Sequence, residues 1–95
     1  MSKSRAHVYV SGKVQGVCFR ASTQDKALML GIRGWVKNCM DGGVEAIFEG
    51  EKDAVDKIVT WCKSGPPGAL VKKLDVHSEA YTGEFEEFSI AYEYA

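Results

Sequence analysis

The chain has 95 residues, 45% of them apolar, and a net charge of −1. That length fits one domain, residues 1–95, with a single core, and the balanced charge argues against a general nucleic-acid binder, which carries a basic surplus. No apolar run approaches the length of a bilayer span, and no apolar stretch follows Met1–Arg5 to make a leader, so a cytoplasmic protein without a membrane partner is expected.

The first strand is expected over Ala6–Ser11, where Ala6, Val8 and Val10 alternate with His7, Tyr9 and Ser11. A helix is expected from Ser22 to Leu30. Ser22 and Asp25 resemble a capping box, and Gly31 suits a left-handed stop. Arg33–Met40 reads as a second strand, Asp41-Gly42-Gly43 as a tight hairpin turn, and Val44–Glu49 as a third strand. Val55, Ile58, Val59 and Cys62 recur at i, i+3, i+4 and i+7, which predicts a core-facing helix over Glu51–Lys63. Ser64-Gly65-Pro66-Pro67-Gly68 breaks it. Leu70–Ala80 reads as a fourth strand with Leu74 and Val76 inward, and Phe88, Ile90 and Tyr92 alternate as a short fifth. The order β-α-β-β-α-β plus a terminal strand predicts an α+β, ferredoxin-like split βαβ fold. Its antiparallel sheet would carry both helices on one face. The first and third strands would lie in the middle, with the second beside the third.

Between the first strand and the first helix runs Gly12-Lys13-Val14-Gln15-Gly16-Val17-Cys18-Phe19-Arg20. A loop entering a helix N-terminus points several backbone N–H groups at one spot, where the helix dipole favours an anion. Gly12 and Gly16 would let the backbone approach a ligand. Arg20 offers a planar fork of donors for phosphate or carboxylate oxygens. The same residues also fit an ordinary βα loop with a surface arginine. Asn38 sits in a strand, where asparagine is disfavoured, and in this fold it could come near that loop; it equally fits the approach to the turn at Asp41.

Taken together, Val14-Gln15-Gly16-Val17-Cys18-Phe19-Arg20 followed by Gly34-Trp35-Val36-Lys37-Asn38 resembles the acylphosphatase family. Asp41-Gly42-Gly43-Val44-Glu45-Ala46 and Gly65-Pro66-Pro67 extend the resemblance, which runs from about Ala6 to Tyr94. The resemblance implies a hydrolase that splits the carboxyl–phosphate bond of small acyl phosphates, without cofactor or metal. It implies that Arg20 binds the phosphate together with the backbone amides of Gln15, Gly16, Val17, Cys18, Phe19 and Arg20. Asn38 would hold the attacking water. Cys18 stands at a position that looks variable in the family.

Two other readings compete. One is a non-catalytic module holding phosphate or carbamoyl phosphate, since similar domains occur within larger carbamoyl-transfer proteins. The other, an RNA-recognition module, would need aromatics on a basic sheet, and the charge argues against it. His7 and His77 read as surface or structural, Trp35 and Trp61 as packing, and Lys72 with Lys73 as a solvated face. Glu84, Glu86 and Glu87 read as loop surface rather than a metal site. Cys18 fits either loop filling or a redox handle. Cys39 and Cys62 read as small core or edge residues. The odd count of three cysteines, without C-x-x-C spacing, suits reduced thiols. A monomer is expected.

Overall fold

The computed structural model describes residues 2–92. Along the chain run β1 (Lys3–Lys13), α1 (Phe19–Leu30), β2 (Arg33–Asn38), β3 (Val44–Glu51), α2 (Lys52–Cys62), β4 (Leu70–Glu79) and β5 (Phe88–Ala91). They build one sheet in the order β4-β1-β3-β2-β5. β1 and β3 are central and β2 lies beside β3, as the ferredoxin-like reading requires. The sheet is mixed, which corrects the antiparallel expectation: β5 pairs parallel with β2, Gly34 opposite Phe88 and Lys37 opposite Ala91.

Alternation drives the strands to one core. Ala6, Val8 and Val10 of β1 are buried opposite Phe48, Ala46 and Val44 of β3. Phe48 lies at the centre and stacks on Phe88, ring centroids 5.8 Å apart. The two helices cover that face. α2 buries Val55, Ile58 and Cys62, as its spacing predicts. α1 buries only Phe19, Thr23 and Ala27, a stripe four residues apart. Thr23 satisfies its buried hydroxyl by donating to the Phe19 carbonyl, 2.7 Å away. Trp61 packs its ring 5.6 Å from that of Phe19 and ties the helices together.

Three local expectations change. α1 begins at Phe19, one turn before Ser22, and its cap is Cys18 in a left-handed conformation without a side-chain cap. The Ser22 amide instead donates to the Cys18 carbonyl inside the first turn, so Ser22 and Asp25 form no capping box. Gly12 serves strand crowding rather than ligand approach. It sits at the β1 bulge with φ +126°, where a Cβ would collide with the Leu70 carbonyl of β4. Val76 pairs with Val8 and so lies on the core face, but β4 is an edge strand that α2 covers incompletely. Val76 stays 45% exposed, whereas Leu74 packs against the core.

Strand direction positions the site. β1 and β2 are each antiparallel to β3, so they run the same way, and β5 is parallel to β2. Three strands therefore deliver their C-terminal ends to one end of the sheet. Open α/β folds likewise bind ligands beyond the carboxyl ends of their strands.

Candidate active site

The chain leaves β1 at Lys13, buries Val14, and passes through Gln15–Cys18 into α1. Gly16 (φ 76°) and Cys18 (φ 61°) are left-handed, and Gln15, Val17 and Phe19 are not. Alternation of φ sign along successive residues turns their N–H groups to one concave side, the geometry of an anion nest. Among the described residues, the amides of Gln15–Cys18 donate to no backbone carbonyl. The next three, at the start of α1, are left open by helix geometry itself. Cys18 is the one described non-glycine residue with positive φ. Such a conformation costs on the order of 1 kcal/mol and persists where the surroundings impose it.

An open cleft of about 350 Å³ lies over this loop. Val14, Gln15, Gly16, Cys18, Phe19, Arg20 and Ala21 line it from the β1–α1 segment, Asn38 from β2, Ile90 from β5 and Tyr92 from just past β5. The side chain of Val17 packs against the core instead. Arg20 is half-buried at the second position of α1, with its guanidinium carbon 5.3 Å from the Tyr92 ring centroid. Among the described residues no carboxylate pairs with it.

Asn38 reaches the cleft by strand alternation. Gly34, Val36 and Asn38 face the helices, and all three are buried. The first two lie over the core; the third lies where the core opens into the cleft, 7% exposed. Gly34 must lack a side chain, because with φ +139° a Cβ would strike the Ile47 carbonyl of β3.

The Gln15 side chain holds these two walls together. Its Nε2 donates to the carbonyls of Cys39 and Gly43, each at 2.8 Å. Those carbonyls belong to the turn after Asn38, which the Cys39 amide closes on Gly43 and Asp41 braces by accepting from the Gly43 amide. Sequence reasoning used Gln15 only for its backbone, and nothing in its spacing revealed this tether. It also passed over Ile90 and Tyr92 as lining residues. Their alternation with Phe88 put them on one face, but the parallel pairing that aims β5 at the cleft has no local signal.

The thiols differ by position. Burial pushes the Cys62 thiol up to about 12. Burial, followed by the negative field of Glu45, raises that of Cys39. Both stay protonated and poor nucleophiles. Cys18 is exposed at the cleft. The expected readings of His7 and Trp35 as structural fit what surrounds them: His7 lies on the opposite face of the sheet between Glu45 and Glu79, 6.3 Å from the Trp35 ring.

The acylphosphatase family model matches residues 6–90. The chain belongs to the acylphosphatase family. It is 55% identical to the acylphosphatase of Pelotomaculum thermopropionicum over 97% of this chain and all of that one. Its structure matches an acylphosphatase from Coxiella burnetii with a TM-score of 0.89 at 38% identity, covering 94% and 93% of the two chains. It matches the Bacillus subtilis acylphosphatase equally, TM-score 0.89 at 36% identity, over 94% of this chain and 99% of that one. These three relatives are covered over nearly their whole length, and the cleft residues from Val14 to Ile90 lie within the span that the family model matches.

Proposed function

We propose that the chain is an acylphosphatase in activity as well as in family, with the phosphoryl group of a small acyl phosphate seated in the Gln15–Arg20 loop. The observation that carries this reading is the convergence of Arg20, a run of unpaired amides and the Asn38 side chain on one cleft. The Arg20 fork and the amides of Gln15–Arg20 bind the phosphate oxygens and stabilise the charge that spreads over them in a loose transition state. The carbonyl oxygen of Asn38 accepts from a water and aims its oxygen at phosphorus. The new P–O bond forms as the P–O bond to the acyl carboxyl breaks, and the carboxylate leaves with the electron pair. A carboxamide is a poor base, so the water's proton passes to a phosphate oxygen, which becomes part of the inorganic phosphate released. No metal or cofactor enters this scheme. Metal independence is tested by hydrolysis of benzoyl phosphate in EDTA, with inorganic phosphate as a competitive inhibitor. Activity that disappears on chelation rejects it. Phosphate binding without turnover would favour a binding module instead.

The same reading treats the 95 residues as one domain that works as a monomer in the cytoplasm. The three unpaired cysteines support a reducing compartment. Sedimentation of the purified chain checks the monomer.

A further inference from the structure

We propose that Tyr92 selects the acyl group, its ring forming the wall against which that group lies. This rests on the hydrolase reading above. The polar groups of the cleft come from the segment Gln15–Arg20 and from β2. Apolar Val14, Phe19 and Ala21 lie along that same segment, and the larger exposed apolar surface comes from Ile90 of β5 and Tyr92 just past it. A substrate with one anionic end and one carbon-bearing end matches that division.

The register explains how Tyr92 arrives there. The last β2–β5 pair is Lys37 with Ala91, so Tyr92 stands one step on, level with Asn38. Phe88 and Ile90 precede it on the same face, the first buried in the core and the second half-buried. Tyr92 therefore stands where core gives way to cleft, 76% exposed. The Arg20 guanidinium carbon lies over the Tyr92 ring, 5.3 Å from the centroid. A guanidinium carries its N–H donors in its plane, and a contact with an aromatic ring uses up none of the acceptors a phosphate would bring, so the fork can still serve phosphate oxygens. One aromatic ring thus steadies the arginine and presents apolar surface beside the scissile bond. An aromatic acyl group gains from ring–ring contact as well as from area buried; an acetyl group has little to lay against the ring.

The test compares kcat/KM for benzoyl phosphate and acetyl phosphate in the native chain, Tyr92→Ala and Tyr92→Phe, with the inhibition constant of inorganic phosphate measured in each. Aromatic contact predicts that Tyr92→Ala lowers the benzoyl-to-acetyl ratio roughly two- to tenfold. Tyr92→Phe should keep the ratio, because the ring and not the hydroxyl makes the wall. A fall by one common factor for both substrates, with weaker phosphate inhibition, would mean the ring serves Arg20 alone and overturns the proposal. A ratio that does not move in Tyr92→Ala also overturns it. If the native chain hydrolyses neither substrate, the hydrolase reading fails first and this one with it.

Discussion

Two arginines on opposite faces of the sheet live in contrasting surroundings. Arg5, on the face away from the helices, donates to Glu49 at 3.0 Å, Glu79 at 2.8 Å and Glu84 at 2.9 Å. Glu49 is 2% exposed and also accepts from the amides of Thr82 and Gly83 and the Thr82 hydroxyl. Burial opposes its charge, but the Thr82 amide, Arg5, the Thr82 hydroxyl and the Gly83 amide together outweigh burial and hold its carboxyl below the usual range. Arg20, in the cleft, touches a ring and has no carboxylate among the described residues. Where donors and acceptors are matched within the chain, polar groups hold structure: the Arg5–Glu49 cluster pins the 81–84 loop that leads to β5. Where a cation and a run of amides meet on one cleft without such partners among the described residues, they are free to take one from outside. An unpartnered cluster of donors is costly unless water or a ligand answers it.

Substitutions on each face should separate these two roles. The largest effect belongs to Arg20→Ala, which should lower kcat/KM for benzoyl phosphate by about a thousandfold and abolish inhibition by phosphate. Thermal unfolding should stay near native, since no described ion pair is lost. A melt that collapses instead would assign Arg20 to structure. Asn38→Ala comes next, with kcat down by about a hundredfold and phosphate inhibition retained; native kcat would remove Asn38 from the reaction.

Glu49→Gln, on the other face, should behave in the opposite way. It sets an amide NH2 against donors that need an acceptor, at a cost of about 2 kcal/mol, which lowers Tm by on the order of 10 °C. Hydrolysis should persist below the melt. Activity lost while the fold survives would break the contrast between the faces.

The smallest effect is acid sensitivity. Glu49 and Glu79 both titrate below the usual carboxylate range, Glu49 through the bonds named above and Glu79 through Arg5 and then His7. A lowered folded pKa stabilises fully above the ordinary value of 4.5 and is lost as pH falls through the folded one. Stability measured by urea melts should therefore decline below that pH, and less steeply in Glu49→Gln. Equal decline in both would place the acid response elsewhere.

Much of the fold was legible from residue order, and the reason is physical. The alternation of Ala6, Val8 and Val10, the hairpin at Asp41-Gly42-Gly43 and the Val55–Cys62 stripe each encode an element within a few residues of chain. The Arg20 loop was singled out by its glycines and the adjoining helix, features that also fit an ordinary βα loop. The family resemblance, not the local pattern, decided between them, and Gly12 turned out to serve the β1 bulge. The start of α1 did not, because Ser22 offered a plausible cap while the structure tolerates a left-handed Cys18 that no local preference predicts. Val76 misled because periodicity reports the face of a strand and not how far a helix extends over the sheet's edge.

Sequence alone determined the strand and helix order, the family resemblance and the two polar positions on which the chemistry is argued, because local periodicity and short motifs are written in neighbouring residues. Only the tertiary structure decided that β5 runs parallel to β2, that Gln15 ties the loop to the turn after Asn38, and that Tyr92 stands over Arg20. Those facts depend on contacts between residues 24 to 72 positions apart, whose partners are chosen by how the sheet closes around its core and not by any stretch of chain taken singly.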